Sequence, residues 1–504
     1  MATNSHYNHV SQNDAIPSPT HETQIIDGVL RWPPTGLKVV IVGGGPAGLL
    51  AALECWRKGH QVEVVERNQA ISTIGDIFFV GPSALATLKD YPTMLQQYSN
   101  VSWDNYVTYR RSDGMLVAPP FEWEYNRDDV PHHAAWPLRI RTSVSRAGLS
   151  QMLYQQCRRL NIPVTFGVTI VDFEESASQG SGTAIATDGC RFTADIVIAA
   201  DGLGTKSHKV VTGEVIRANP TGFAICRNFY RLDPEKHAAL REKLAELSRP
   251  DCRCSSGEGF HCISVLSNES AFVGITIPDD GTARESWAES ITNEEFINLL
   301  PMTGNYDPLV LEIIRNIPEN STTKWQLCWR DPQPKWTSPE GRIIQLGDSA
   351  HAFIPSSMSG ATTALEDGQS LAECLRLAGK EHAHLATKVH ELMRLRRVSI
   401  LQRVGFSNRR EMHQKDGFEG ITKNKNDGGS MTLGKWTWTH NAEKYAFENF
   451  AKARQCLETG AEFEHTNIPK GFKWEDWSMK HELEKDKQGL ITTDLKLNGD
   501  WGIY

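Results

Sequence analysis

A glycine-rich turn between two apolar segments is the strongest chemical signal in the chain. Gly43, Gly45 and Gly48 form the pattern G-x-G-x-x-G, and Pro46 and Ala47 stand before the last glycine. In such a turn the first glycine permits a tight bend, the second lets the backbone approach a pyrophosphate, and the third allows close helix–strand packing. A helix that starts here offers unpaired N–H groups and partial positive charge to phosphates. The spacing therefore predicts a dinucleotide site.

The segments beside the turn supply the elements that position this site. Residues 37–42 are a β-branched apolar run typical of a buried strand, residues 49–56 are rich in helix formers, and residues 61–66 predict a second strand. Glu66 closes that strand and is followed by Arg67. A carboxylate at this point can accept both hydroxyl protons of an adenosine ribose. Strand, helix and second strand together predict a βαβ nucleotide-binding unit.

Two later strands also end at an acidic turn. Residues 194–200 run into Asp201, and residues 341–346 run into Asp348. We expect both strands to belong to the same parallel sheet, so that both turns lie near the cofactor. A carboxylate there can accept hydrogen bonds from nearby backbone N–H groups.

These three segments together resemble the single-component, class A FAD-dependent aromatic monooxygenases, a family that includes salicylate hydroxylase and fungal secondary-metabolite enzymes. The resemblance covers about residues 37–400. It is most specific in the run from Asp348 through Pro355 to Gly360 and Ala361, which is similar to the flavin motif of the family.

The resemblance implies roles for the matching residues. Asp348 would accept a ribityl hydroxyl, and Pro355 would fix the loop beside the flavin ring. The helix after Gly360 and Ala361 would aim its N-terminus at the pyrimidine edge, where negative charge is favoured by about 0.3–2 kcal/mol. The turn at Asp201 would serve FAD and the nicotinamide nucleotide.

The chain departs from the family pattern at two places. Thr205 and His208 stand where the family has Ser and Arg, and Met358-Ser359 precede Gly360 where the family has Gly-Gln. These departures concern the nicotinamide contact and the path of the loop at the ring. They do not concern the fold.

Arg146 is a further candidate for the cofactor site, because the family places an arginine against the cofactor at the matching position. The alternative is a surface cation near the start of the helix predicted over residues 148–160. A cation at a helix start is mildly unfavourable, which favours the ligand interpretation.

Two candidate residues lie on the substrate side. Arg227 interrupts the apolar face of a strand predicted over residues 221–232, which is costly unless the guanidinium meets an anion or a ring. The family has an arginine near the substrate at about this point, and an edge arginine that reaches solvent is the alternative. His261 falls near a functional tyrosine of fungal relatives. A structural histidine is the alternative there.

One cluster of metal-ligating residue types is present, comprising Cys252, Cys254, His261 and Cys262. It lacks the second spaced pair of a zinc ribbon or finger, so we predict no metal site.

The composition narrows the class of protein. The 504 residues include 53 Lys and Arg against 61 Asp and Glu, a net charge of −8, so we expect no nucleic-acid surface. Apolar runs are too short for a membrane span. Ten scattered cysteines are typical of a reducing compartment, and we expect a cytoplasmic protein.

The predicted fold is α/β: a Rossmann-like FAD-binding parallel sheet, an inserted antiparallel-sheet substrate domain and a helical C-terminal region. The predicted boundaries are a flexible segment over 1–36, the FAD-binding domain over 37–214 and 336–415, the substrate region over 215–335, and a Trp-rich extension over 416–504. The basic stretch 382–415 is interpreted as a solvated helix face, and the tryptophans of the extension as packing on the body or a partner.

The expected function is that of an FAD enzyme that uses NADPH or NADH and O2 to hydroxylate or epoxidise an aromatic or other electron-rich small molecule. The flavin would carry the chemistry while the protein binds and orients. Two alternatives stay open: an FAD oxidase or dehydrogenase without oxygen transfer, and a flavoprotein kept as a binding module. The sequence leaves the substrate and the oligomeric state open.

Overall fold

The computed structural model describes residues 23–72, 76–130, 141, 143–245, 250–283, 290–300, 306–419, 433–488 and 493–502. The strands, in chain order, are β1 (Gln24–Ile26), β2 (Val29–Arg31), β3 (Lys38–Val42), β4 (Gln61–Glu66), β5 (Ile77–Phe79), β6 (Ser102–Trp103), β7 (Tyr106–Arg110), β8 (Ser143–Ser145), β9 (Val164–Phe166), β10 (Ile170–Ser176), β11 (Ser181–Ala186), β12 (Arg191–Ala194), β13 (Ile196–Ala199), β14 (Asn219–Arg231), β15 (Asp251–Gly257), β16 (Phe260–Leu266), β17 (Ser270–Pro278), β18 (Ser290–Ile291), β19 (Thr322–Trp329) and β20 (Ile343–Gln345).

The α-helices, in chain order, are α1 (Pro46–Arg57), α2 (Pro82–Leu85), α3 (Pro92–Tyr98), α4 (Arg146–Arg159), α5 (His208–Thr212), α6 (Ala238–Ala245), α7 (Asn293–Asn298), α8 (Pro308–Arg315), α9 (Gly360–Ala378), α10 (Ala383–Met412), α11 (Lys435–Trp438), α12 (Ala442–Thr459), α13 (Met479–Lys487) and α14 (Thr493–Leu497). Short 3-10 helices cover Ala86–Asp90, Glu124–Asn126, Gly202–Gly204, Gly347–Ser349 and Pro355–Ser357.

A five-stranded parallel sheet in the order β20-β13-β3-β4-β9 forms the centre of the cofactor half. Strands β3 and β13 are buried almost throughout, because helices such as α1 cover one face of the sheet and the strands β10, β11 and β12 cover the other, so apolar, mostly β-branched side chains fit there. Asp195 separates β12 from β13, so the strand predicted over residues 194–200 is shorter. Its carboxylate accepts the N–H of Lys38 at 2.8 Å and ties β13 to the start of β3.

A seven-stranded sheet in the order β18-β19-β14-β17-β16-β15-β7 forms the second half. All its pairs are antiparallel except β15 with β7. It therefore includes β7, which precedes the predicted substrate region. Its outer face packs on α6, α7 and α8 around side chains such as Tyr230, Ile275 and Phe296. The inner face carries Phe223 and Arg227, as the period of two predicts.

Helix α10 is mostly buried, so the prediction of a solvated basic face is wrong. Arg394 and Arg397 are at most 1% exposed. Arg394 pairs with Glu366 at 2.6 Å and with Asp367 at 2.9 Å, both on α9. The positive charges belong inside because α9 presents buried carboxylates to them.

The C-terminal region is helical, as predicted, and its tryptophans pack on the body. The indole of Trp477 lies 5.8 Å from that of Trp329 on β19, and its N–H donates to Ser399 of α10. Trp436 and Trp501 pack edge to face at 5.4 Å.

Within the described parts of the chain, no helix is long and apolar enough to cross a membrane.

Arg397 joins the C-terminal region to α9. Its guanidinium donates to both carboxylate oxygens of Glu366 and to the carbonyl oxygens of Trp436, Thr437 and Asn467, at 2.9–3.1 Å. These contacts use all five donor hydrogens of an arginine. The extension is thereby tied to the helix that follows the predicted flavin motif.

Candidate active site

The glycines of the βαβ unit meet different surroundings. Gly43 has φ +112°, and an added Cβ would lie 2.2 Å from the carbonyl oxygen of Ala200. A Cβ on Gly48 would lie 2.0 Å from the carbonyl oxygen of Gly43, so helix and strand leave no room there. A Cβ on Gly45, by contrast, meets nothing within 4 Å. The first and third glycines are thus required by the protein itself, and the second borders open space.

Pro46 and Ala47 begin α1 at the edge of this open space. Pro46 occupies the first helical position, where a missing N–H costs nothing. Ala47 packs against the later motif, because a Cβ on Gly347 would lie 3.0 Å from its methyl group. The N-terminus of α1 and the Gly347–Ser349 turn are therefore neighbours.

Glu66 ends β4 inside this loop and is 8% exposed. One carboxylate oxygen accepts the N–H of Gly44 at 2.6 Å, and the other accepts that of Asn68 at 2.9 Å. A carboxylate has about four acceptor positions, so acceptance from a ribose remains open to it. Arg67 is exposed beside it.

The turns after β13 and β20 are bonded to each other. Ser349 donates its hydroxyl hydrogen to Asp201 at 3.1 Å, and its oxygen accepts the N–H of Gly202 at 2.9 Å. Burial raises the pKa of Asp201, while hydrogen bonds from neighbours such as Thr205 oppose that rise. The carboxyl ends of the parallel strands thus meet, as the fold predicts.

Asp348 lies in the turn after β20, and its side chain is exposed although protein groups surround it closely. This crowding removes water and raises the pKa of Asp348, while His351, Arg146 and Arg330 oppose that rise. The carboxylate is thus reachable and also partly desolvated, and the space around it is called the Asp348 cleft. This carboxylate is therefore well placed to accept a hydroxyl hydrogen from a bound ligand.

Arg146 is the first residue of α4 and lies on the wall of the same cleft. Its backbone N–H donates to the carbonyl of Asp76 at 2.9 Å, and its guanidinium carbon lies 6.0 Å from the centre of the Phe78 ring. Its charge also acts on Asp348. The side chain is half-buried rather than a free surface cation.

The loop before α9 keeps a glycine-like path without the glycine of the family. Met358 has φ +53° and ψ 14°, the left-handed region, at a cost of about 1–2 kcal/mol for a residue with a side chain. Pro355 is exposed at the start of this loop, and Gly360 and Ala361 open α9. A Cβ on Gly360 would lie 3.2 Å from that of Phe353, which limits the residue at this position.

Asp367, on α9, supports the loop from behind; it closes the stretch that resembles the flavin motif of the family, but the sequence assigned it no role. It accepts from the ring Nε2 of His351 at 2.6 Å and from the N–H of Gly347 at 3.2 Å. Its pKa is lowered to about 2, because the charges of His351 and Arg394 outweigh burial. The spacing of Glu366 and Asp367 after Gly360 was the available signal.

Thr205 and His208, the departures from the family pattern, lie inside the cofactor half. Thr205 is bonded to Ser207 at 2.7 Å, and both side chains are buried. His208 is 2% exposed, and burial lowers its pKa to about 4.

Arg227 meets both an anion and a ring. It pairs with Asp76 at 2.7 Å, and its guanidinium carbon lies 5.8 Å from the centre of the Trp325 ring. The side chain is 15% exposed, which contradicts the alternative of an edge arginine that reaches solvent. The charge of Arg146 acts on the carboxylates of both Asp76 and Asp348, so these charges link the substrate sheet to the cleft of Asp348.

His261 is buried on the inner face of β16. Its Nδ1 lies 2.7 Å from Nε2 of His413, at the end of α10. Burial and the charge of Arg409 lower the pKa of His261 to about 3, so the ring is neutral at pH 7. It lines a small cavity with Arg409, Thr276 and Pro355.

The zinc hypothesis has no supporting geometry. In the register of β15 and β16, Cys262 pairs with Ser255, so it faces away from Cys252 and Cys254. The described residues contain no group of three or more metal-ligating side chains.

A surface pocket larger than the cavity beside His261 lies at the amino end of β4, near Trp56 and Gln61, at the opposite edge of the sheet from the motifs. Ligands of such sheets bind at the carboxyl ends.

The cleft fits FAD. Open space adjoins Gly45 and the N-terminus of α1. Glu66 lies at one end of the site and Asp348 at the other, and the long helix α9 begins beside the Pro355 loop. A phosphate group is favoured at the first helix, and a reduced flavin, which is an anion, at the second.

Comparisons with known proteins agree with this geometry. The family described as "FAD binding domain" matches residues 38–84. The chain is 36% identical over 482 residues to the FAD-dependent monooxygenase fsr3 of Gibberella fujikuroi, covering 94% of this chain and 91% of that protein. The chain belongs to the class A FAD-dependent monooxygenases.

Solved structures share the fold. CtdE in complex with FAD and a substrate superposes with a TM-score of 0.72 at 25% identity, covering 84% of this chain and 100% of that chain. A salicylate hydroxylase substrate complex gives a TM-score of 0.60 at 21% identity, covering 83% and 97%. This monooxygenase therefore binds FAD, and the two alternative functions, an oxidase and a binding module, are not favoured.

Proposed function

We propose that this monooxygenase oxidises NADPH or NADH and uses O2 to hydroxylate or epoxidise an aromatic or other electron-rich small molecule. The observation that carries the proposal is the set of interacting charges on Arg227, Asp76 and Arg146, which joins the inner face of the seven-stranded sheet to the cleft of Asp348. A substrate lying against that face would stand beside the cofactor.

We assign the cofactor contacts by position. Gly43, Gly45, Pro46, Ala47 and Gly48 would receive the pyrophosphate, with Glu66 and Arg67 at the adenosine ribose. Arg146, Asp201 and Asp348 would hold the ribityl portion, with Pro355, Gly360 and Ala361 at the flavin ring. When bound, FAD supplies electron transfer from the nicotinamide and activation of O2.

The protein supplies binding, orientation and exclusion of water. Burial lowers the pKa of Arg227 and raises that of Asp76, so desolvation outweighs their attraction in both groups. An ion pair with this desolvation cost contributes little to the stability of the fold. Its presence here is therefore better explained by a role in holding substrate. Trp325 and Phe229 offer rings on the same sheet.

The domains follow from this assignment. Residues 37–214 and 336–415 would bind FAD, 215–335 with β7 would bind substrate, and 416–504 would support α9. All ten cysteines are free thiols, which suits a reducing compartment such as the cytoplasm.

The test is oxidation of NADPH and NADH by the FAD-loaded enzyme with an aromatic substrate panel under isotopically labelled dioxygen. The proposal expects substrate-stimulated oxidation and one labelled oxygen atom in the product by mass spectrometry. Substrate-independent oxidation with peroxide as the sole oxygen product would contradict it.

A further inference from the structure

A small, partly enclosed cavity lies between the substrate sheet and the loop before α9. Thr221, Thr276 and His261 line it from the sheet, Pro355 from the loop, and Arg409 from α10. It has room for a group of about the size of one water molecule. It therefore suits a single oxygen atom rather than a ring.

The cavity lies one step along the strands from Arg227. The register places Trp325, Ile225, Thr276 and His261 side by side in one row, and Arg227 two residues further on β14. Two residues of a strand span about 7 Å. A ring packed against the inner face can therefore reach both rows.

His261 has one ring nitrogen to offer a ligand. Its Nδ1 is engaged by His413, and within the described chain Nε2 has no hydrogen-bond partner. The ring is 5% exposed and lines the cavity, so a group inside the cavity can supply the hydrogen-bond partner of Nε2.

His413 determines which tautomer of neutral His261 is present. Nδ1 of His413 is buried and has no hydrogen-bond partner among the described residues. A buried N–H without an acceptor is rarer and more costly than a buried lone pair without a donor. The positive charge of Arg409 also favours a lone pair on Nδ1 of His413. His413 therefore carries its hydrogen on Nε2 and donates to His261. The hydrogen of neutral His261 is then on Nε2.

Arg409 adds positive charge to the same cavity. It is 3% exposed, and its guanidinium carbon lies 4.7 Å from the centre of the Phe223 ring and 5.3 Å from that of Phe406. These rings hold the guanidinium in place. The cavity thus combines a donor N–H with a fixed cation, which favours an oxygen acceptor.

We propose that this cavity anchors one acceptor oxygen of the substrate, such as an aryl carbonyl oxygen, through His261, and that His413 is a positioning residue that keeps the hydrogen of His261 on Nε2. The proposal rests on the proposed function and deepens it. It names the functional group that orients the aromatic skeleton.

The test compares binding of two probes to the FAD-loaded enzyme, by their perturbation of the flavin absorption spectrum. 1-Tetralone carries an aryl carbonyl, and tetralin has the same skeleton without it. The wild type is expected to bind tetralone about threefold to tenfold more tightly, the typical net gain from one buried hydrogen bond to a matched partner.

Three variants separate positioning from folding. His261→Phe and His413→Leu are expected to remove most of the tetralone preference while tetralin affinity stays within about twofold. His413→Gln keeps an N–H donor and is expected to retain the preference. His382→Leu, at the exposed start of the same helix, is the matched control and is expected to behave as wild type.

The selectivity ratio within each variant is independent of general loss of structure. Equal affinity of the wild type for both probes, or no binding of tetralone, would overturn the proposal. So would equal losses for both probes in His413→Leu and His413→Gln. Because the readout is binding, failure of oxygen transfer in the earlier assay would refute the proposed function without affecting this result.

Discussion

The two faces of the active site are built from different materials. The pyrophosphate end of the cofactor face consists of backbone: Gly43 and Gly48 lie against carbonyl oxygens of the protein, and Gly45 borders open space. The substrate face consists of buried charged and polar side chains such as Arg227 and His261, each held by a partner from another element. The cofactor face therefore leaves no room for added atoms at Gly43 and Gly48. On the substrate face, side chains can be replaced and the chemistry of the site changed while the fold is kept.

The largest effect should come from alanine at the glycines. Gly43→Ala combines a strained φ with a Cβ 2.2 Å from a carbonyl oxygen, so we expect a loss of about 2–6 kcal/mol in the free energy of unfolding, from backbone strain and overpacking together. Gly45→Ala should unfold within about 1 kcal/mol of the wild type yet lose FAD affinity, since its Cβ enters the open space. Urea unfolding and FAD titration measure both. Equal stabilities of the two variants would remove the distinction between these glycines.

The next effect concerns the support behind the cofactor face. Arg397→Lys cannot reproduce five hydrogen bonds, so it should lower the free energy of unfolding by about 3–5 kcal/mol and loosen the C-terminal region. Arg396→Lys, next to it and half-exposed against Glu462, is the matched control, with an expected change within about 0.5 kcal/mol. Limited proteolysis and urea unfolding check this. Similar losses in both variants would show that the network adds nothing.

Changes on the substrate face should spare the cofactor. Arg227→Ala should keep FAD but reduce kcat/KM for substrate-stimulated NADPH oxidation by about tenfold to a hundredfold, the value of one charged hydrogen bond. Asp76→Asn should fall between Arg227→Ala and wild type, because the amide still holds the guanidinium. Steady-state kinetics with a flavin-content control measure the effect. Unchanged kinetics in Arg227→Ala would place this residue outside the site.

The smallest effect is a pH dependence shared by both regions. His390 beside α9 and His413 at the substrate face have pKa values lowered by burial to about 3 and about 2, while the unfolded residues titrate near 6.5. The unfolded state binds more protons below pH 6.5, so stability falls as pH falls, by at most about 1.4 kcal/mol per pH unit for each ring. The free energy of unfolding, measured with urea between pH 6.5 and 5, should depend less steeply on pH in His390→Gln and in His413→Gln, by up to one proton in each variant. An unchanged slope in either would mean that the ring is not held neutral.

The difference between the two faces also explains what the sequence could predict. The glycine turn, Glu66 and Asp348 are recognisable because backbone geometry and short spacing determine them; Glu66 and Gly44 are 22 residues apart. His261 and His413 are 152 residues apart, and no local pattern relates them. Asp76 was missed for the same reason.

The basic helix shows the limit of a composition argument. Arg394 and Arg397 predict a solvated helix face as long as the sequence shows no acidic partners for them. Once such partners are present, the same arginines can be buried. Glu366 and Asp367 stood in the flavin motif, yet their direction toward α10 depends on how α9 and α10 pack. Tertiary contact, not local sequence, decided the burial.

The most direct test of the account is a titration of wild type, Glu66→Ala and Asp348→Ala with FAD and with FMN, which lacks the adenosine. If one FAD spans both motifs, Glu66→Ala should weaken FAD but leave the weaker FMN binding unchanged. Asp348→Ala should weaken both, with circular dichroism as in the wild type. Wild-type FAD affinity in either variant would contradict the account.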